Sequence, residues 1–425
     1  MKNMHKSILT ISAIALFTAS SSALAAANKL YSVSNKQDAN TVVVYQRNNE
    51  GKFAISQEIR TGGKGTGDLE IPALKKDPTH PLMNGDDPLI SANAIAQSDD
   101  DNWIVVVNPG DASVSLLAVR PDGKLKRKNN VSSSDKFPVS VAIEGNLVAV
   151  ASVGDNNGAG SIGLMEITEN GMIAVSGSRR DLNARPSTID FSTDGKYVVV
   201  NELVTGKIKI FAVENGNLSS APVSEIDSPR DTDGRFQAIP VGFTIHGTSD
   251  GDVISVSEAR FLTPDFLLRG PTEGVKQVVQ SPLYTWQTGS LSTYRLAADG
   301  NISLISGDVL TGAAIEGGEL ANCWVVLSPD SKRLWAVNAM SSSISSFRIR
   351  ENGTAALVND KAFKIAGEQS FFSDIAISDD GKEIYQLVGN QGAIMIFDVA
   401  EDGNLKAKQT VGGLPVLGAF GLIAD

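Results

Sequence analysis

Seven tight turns recur along the chain and set its architecture. An Asn, Asp or Glu precedes Gly at Glu50-Gly51, Asp122-Gly123, Asn170-Gly171, Asn215-Gly216, Asp299-Gly300, Asn352-Gly353 and Asp402-Gly403. Each follows a short apolar, β-branched run such as Thr41 to Tyr45 or Lys207 to Phe211. Most precede a second run opened by Leu, Ile or Phe. Asn-Gly and Asp-Gly adopt positive φ at low cost, so they suit tight hairpins between twisted strands. The glycines are spaced by 72, 48, 45, 84, 53 and 50 residues. Four spacings lie near 50, and the two long ones read as one repeat carrying an insertion. A repeat of this length fits a four-stranded propeller blade.

A second turn lies upstream in most repeats: Ser98 to Asp101, Ser192 to Gly195, Ser249 to Gly251, Ser328 to Ser331 and Ser378 to Gly381. The runs after these turns, such as Trp103 to Val107, Tyr197 to Val200 and Leu334 to Val337, are the most apolar in the chain. They suit strands covered on both faces. Asn35, Asn108, Asn201 and Asn338 close such runs. The blade order is strand a, Ser-x-Asp turn, strand b, Asn-rich loop, strand c, x-Gly turn, strand d. The first repeat lacks a strand a, and the chain ends on the unpartnered strand Phe420 to Ala424. Pairing the two completes a seventh blade and removes open edges. The expectation is an all-β, seven-bladed propeller in one domain, residues 28–425, closed by its C-terminal strand. Insertions are expected at 64–91 and 260–287.

Residues 1–27 read as a secretory signal. Lys2 and Lys6 precede an apolar stretch from Ile8 to Phe17, and small residues follow at Ala23 to Ala27. The stretch is shorter than the roughly 20 residues that span a bilayer. Export to the periplasm or beyond is expected, with no membrane insertion of the mature chain. The single Cys, Cys323, excludes an internal disulfide. The net charge is −11, and two units more negative without Lys2 and Lys6. Nucleic acid, which requires a basic face, is disfavoured.

In an up-and-down blade the a–b and c–d turns share one face of the disc, and the b–c and d–a connections share the other. Both insertions fall on the second face, where loops on a rigid scaffold tend to carry function. Candidate groups there are His80 in the first insertion, Glu202, Glu258 and Arg260 in the b–c loops, and Arg185 and Glu319 in the d–a loops. A Glu or His80 could act as general base, and Arg185 or Arg260 could stabilise an oxyanion. The Asn residues read as strand caps. His246 falls on the opposite, hairpin face and reads as structural. Asp68, Glu70, Asp77, Asp86 and Asp87 make the first insertion acidic and offer oxygen ligands for Ca²⁺, without a known loop spacing. Gly62 to Gly67 lacks the P-loop spacing, and no other nucleotide or hydrolase motif is present.

The unit Arg185 to Glu202, with Ser192-Thr193-Asp194-Gly195 at its turn, resembles the lactonase family of seven-bladed propellers, which includes bacterial 6-phosphogluconolactonase and fungal muconate lactonizing enzymes. Trp324 to Asn338, Asp374 to Leu387 and Gly206 to Leu218 resemble parts of the same unit. The resemblance implies a lactone hydrolase. It also implies His residues near the starts of inner strands, yet Ser187 and the run Leu320 to Trp324 stand at those places. Two readings follow. One is an exported propeller that binds a small polar ligand, a glycan or a protein partner. The other is a lactone hydrolase using His80 or a Glu with Arg185 or Arg260. A metal-dependent hydrolase built on the acidic insertion is a third, more distant one.

Overall fold

Strands whose two faces are both apolar can be satisfied only between two packed sheets, and the chain stacks its sheets radially. In the computed structural model the described residues are 27–67, 89–154, 159–203, 205–229, 237–262, 285–312, 318–366, 370–416 and 418–425. They form seven antiparallel sheets, six of them in chain order and one closed by the C-terminal strand. Blade 1 pairs Phe420–Ala424 with Lys29–Val33, Thr41–Arg47 and Phe53–Arg60. Blade 2 is Ile95–Gln97, Trp103–Asn108, Ser113–Val119 and Leu125–Ser132. Blade 3 is Pro138–Glu144, Leu147–Ser152, Ser161–Thr168 and Gly171–Ala174, and blade 4 is Pro186–Phe191, Tyr197–Glu202, Lys207–Glu214 and Asn217–Leu218. In both, a second short strand, Arg180–Asp181 or Ser224–Asp227, extends the outer edge. Blade 5 is Ile239–Thr248, Gly251–Leu262, Thr285–Leu296 and Ile302–Leu310. Blade 6 is Asn322–Leu327, Arg333–Asn338, Ser343–Ile349 and Ala355–Lys364, and blade 7 is Phe372–Ile377, Glu383–Val388, Ala393–Val399 and Leu405–Gly412.

Ring closure follows the expected route, with one irregularity. The closing strand bulges at Gly421, which the ladder between Ser32 and Val33 skips. Gly421 has φ of +78°, and a Cβ there would press on Ile95 and Ala94. Its freed peptide groups find partners on two blades: Ser32 donates to its carbonyl at 2.7 Å, and its N–H donates to buried Asp374 at 2.9 Å. The ring seam is therefore hydrogen-bonded on both sides of the closing strand.

The Ser-x-Asp turns are built from their own side chains. Ser98, Ser328 and Ser378 donate to Asp100, Asp330 and Asp380 at 2.6, 2.6 and 2.7 Å. Each serine oxygen also accepts the N–H that opens strand b, from Trp103, Arg333 or Glu383. Blade 5 departs from this pattern, with Thr248 paired directly to Gly251 across a two-residue turn.

Strand d carries a bulge that periodicity does not reveal. In blades 1, 2, 5, 6 and 7 the register with strand c skips a residue at Ser56, Lys128, Ile305, Val358 and Lys408, and in blades 5 and 6 it shifts a second time further along the strand. Bulges at sheet edges bend and twist the outer strand and re-aim one side chain. The strands around the second insertion are also longer than expected. Arg260 pairs with Gln287 inside the ladder, so both lie in strands and not in a loop.

Candidate functional site

The expected working face is built by the ends of strands b, the starts of strands a and the flanks of the two insertions. The first insertion leaves through residues 61–67, which lie over the b–c loops of blades 1 and 2. Asn35 donates to Thr66 at 2.9 Å and accepts from its N–H at 3.0 Å, and Gln37 donates to the Thr66 carbonyl at 2.9 Å. A Cβ on Gly65 would collide with the carbonyl of Asn35. The glycine-rich run therefore serves close backbone packing. The second insertion departs at Leu262 and returns at Thr285, also at the b–c end. Both anchors lie on one face.

Among the described residues, one segment crosses the centre of this face. Residues 89–93, returning from the first insertion, lie across it. Ser91 donates to the Val139 carbonyl of blade 3 at 2.8 Å, and Ala92 N–H donates to the Ser187 carbonyl of blade 4 at 3.3 Å. From the far side of the ring, Trp324 of blade 6 donates its indole N–H to the Ser91 carbonyl at 3.1 Å. Phe371 and Phe420 pack edge-on against the same indole, with centroids at 6.5 and 6.0 Å. Ile90 and Asn93 turn this segment with φ of +47° and +62°, a conformation a β-branched residue adopts only under strong constraint.

Arg185 is buried at the start of blade 4 and donates to the Leu89 carbonyl. Its guanidinium anchors the crossing segment. Glu202 ends strand b of blade 4 and is fully buried. It takes Lys209 Nζ at 2.7 Å, the Asn183 N–H at 3.0 Å and the Thr205 hydroxyl at 2.6 Å. Glu319, also buried, takes Lys364 Nζ at 3.1 Å on both oxygens, Lys361 Nζ at 3.4 Å and the Ser343 hydroxyl.

Glu258 and Arg260 are the two candidates that come together, both fully buried in blade 5 with Arg260 Nη2 4.0 Å from Glu258 Oε2. Arg260 makes its short contact to Asp308 Oδ1 at 2.5 Å and donates to Ser290 at 3.3 Å. Ser290 in turn donates to Glu258 at 2.6 Å, and Tyr294 O–H reaches it at 3.5 Å. Burial raises the Glu258 carboxyl above its ordinary range, and the Arg260 charge opposes the rise. Asp308 carries no signal in the sequence, because it lies in an outer strand whose alternation reads as solvent-facing.

Each of these three carboxylates thus has a cation within reach: Lys209 for Glu202, Arg260, shared with Asp308, for Glu258, and Lys361 with Lys364 for Glu319. Asn108, Asn201 and Asn338 act as caps. Asn201, for example, accepts from Ser187 and Thr188 and donates to the Val241 carbonyl of the next blade, all at 2.8 Å. His246 lies within the Ile239–Thr248 strand, half-buried near its hairpin end, where burial lowers its pKa. His80 and the acidic stretch from Asp68 to Asp87 lie outside the described residues. Among the described residues no group of three or more His, Cys, Asp or Glu is placed to hold a metal ion, and no helix is long and apolar enough to cross a membrane.

No family model matches the sequence, and no curated protein matches it. Solved structures do. The chain superposes on the periplasmic gluconolactonase of Pseudomonas aeruginosa with a TM-score of 0.61 and 15% identity, covering 92% of this chain and 98% of that one. A candidate 6-phosphogluconolactonase from Bacteroides uniformis gives 0.60 at 17% identity, covering 92% and 99%. A hypothetical selenium-binding protein from Sulfolobus tokodaii gives 0.60 at 11% identity, covering 93% and 92%. Identities this low fix the fold and leave activity open. The chain has the seven-bladed propeller fold of the lactonase-type proteins.

Proposed function

We propose that this chain is an exported propeller of lactonase-type fold that binds a small polar ligand, a glycan or a protein partner on the face from which both insertions leave. The segment that crosses the ring on this face carries this reading. Residues 89–93 and Trp324 occupy the place where a substrate would enter the ring. The ion pairs of Glu202 and Glu258 add support, because a carboxylate committed to a buried cation is a poor proton acceptor, and Glu319 is held by two half-exposed lysines. Export is supported by the signal-like residues 1–27 and by the fold shared with a periplasmic protein.

A second reading, lactone hydrolysis, is favoured by one observation: the raised Glu258 carboxyl beside Arg260, next to the second insertion. Glu258 would take a proton from water as the hydroxide adds to the lactone carbonyl, Arg260 would stabilise the oxyanion, and collapse of the adduct would break the ring C–O bond, with Glu258 returning the proton to the leaving alkoxide. The test is hydrolysis of simple and sugar lactones by the purified mature protein, with and without Ca²⁺, beside thermal-shift screening of saccharides. The binding reading expects a saccharide or partner shift and no turnover above buffer. Turnover abolished by Glu258→Gln would replace it with the second reading.

A further inference from the structure

The hairpin face, opposite the insertions, carries a groove of about 1330 Å³ between blades 6 and 7. It is lined by the Ser328 to Asp330 and Asp380-Gly381 turns and by the c–d turns at Asn352 and Asp402. Its floor differs from that of the neighbouring blade in one physical respect. In blade 7, strands b and c place two like charges directly opposite each other, Glu383 against Asp398. Like charges in this position are destabilising, and the protein neutralises them. Lys408, the bulged residue of strand d, reaches Glu383 at 2.7 Å and Asp398 at 2.9 Å, and Arg47 joins Glu383 from blade 1. In blade 2 the bulged residue is again a lysine: Lys128 lies over the ring of Trp103, the first residue of strand b, at 5.9 Å.

Blade 6 has the same arrangement with the sign reversed and the neutralising group missing. Arg333 stands directly opposite Arg348. The bulged residue of strand d is Val358, 44% exposed. Arg333 lies over Trp335 and donates to the Ala400 and Glu401 carbonyls, which leaves its charge in place. Arg348 is exposed, and among the described residues no carboxylate lies within ion-pair distance of either arginine. Five carboxylates line the groove: Asp330 is held by Ser328 and the Lys332 N–H, with the Arg333 charge also acting on it, Asp380 by Ser378 and Lys382, and Asp402 by Asn404, while Glu351 and Glu401 lie in the c–d turns.

We infer that this groove binds an oxyanion, of phosphate, sulfate or carboxylate type, bridging Arg333 and Arg348 where Lys408 bridges the acids of blade 7. Two guanidinium forks on adjacent strands suit an oxyanion better than a point charge. The groove is far larger than one ion, and the exposed Val358 side chain offers apolar surface to the body of an organic ligand. The protein as a whole is acidic, so general electrostatic attraction does not account for such binding. It would rest on this local pair.

The test compares melting temperatures of the mature protein in chloride, inorganic phosphate and phenyl phosphate at matched ionic strength. A stabilisation over chloride that saturates with concentration is expected. Tighter binding of phenyl phosphate than of phosphate assigns the groove to an organic ligand, and equal binding assigns it to the free ion. Arg348→Ala, an exposed site that leaves the core intact, should weaken the response about tenfold or more. Val358→Glu should raise the melting temperature in chloride and remove the phosphate response, because its carboxylate takes the anion's place. A wild-type protein that melts alike in all three salts overturns the inference, as does an unchanged response in both variants.

Discussion

Trp324 of blade 6 and Ser91 of the segment leading into blade 2 lie 233 positions apart in the chain, yet the indole N–H of one donates to the carbonyl of the other at 3.1 Å. This bond crosses the ring. Trp324→Phe keeps an aromatic body but loses the donor, leaving a buried carbonyl short of a partner. The expected loss is roughly 1–3 kcal/mol in denaturant unfolding. Faster amide exchange should be confined to residues near 91–94. A variant as stable as the wild type would show that the bond does not hold the crossing segment.

The ion pairs should divide by depth. Arg260→Ala leaves Glu258 and Asp308 near each other without their shared cation, at a cost of about 3–5 kcal/mol. Lys364→Ala removes a half-exposed lysine, and Lys361 remains beside Glu319. Its cost should be no more than about 1 kcal/mol. Urea midpoints for the two variants check the ranking.

Burial pushes the Asp374 carboxyl up to about 7. An acid whose folded pKa exceeds its unfolded one stabilises the fold while protonated. That contribution is fully present below the unfolded value near 4. It is lost as pH rises through about 7. Asp374→Asn should therefore flatten the fall in stability between about pH 4 and 7. Melting temperature against pH checks this, and identical slopes in both proteins would contradict it.

Gly65→Ala tests the glycine-rich run as packing. The new Cβ would strike the Asn35 carbonyl, a backbone atom that cannot swing aside. Overpacking of this kind costs typically 1–3 kcal/mol. A thermal melt of the variant shows the loss. An unchanged melt would mean the run lies loosely on the b–c loops.

Much of this molecule could be read from its residues. The x-Gly turns, the Ser-x-Asp turns and the orphan strand at Phe420 gave blade order and closure, because each depends on local backbone chemistry. The Asn caps were legible for the same reason. Lys209 was not. Alternating with Ile208 and Ile210, it reads as a solvent-facing residue, but inside a propeller both faces of a strand are covered, and Lys209 is buried against Glu202. The crossing segment was equally hidden, since the Trp324–Ser91 contact depends on three-dimensional closure. The strand d bulges leave no periodic trace, and neither does the facing Arg333–Arg348 pair.

Hydrolysis of a lactone panel by the purified mature protein, followed beside the Glu258→Gln variant, bears most directly on whether this fold serves binding or catalysis. The account predicts rates for both proteins that match buffer. Rapid turnover by the wild type that Glu258→Gln abolishes would contradict it.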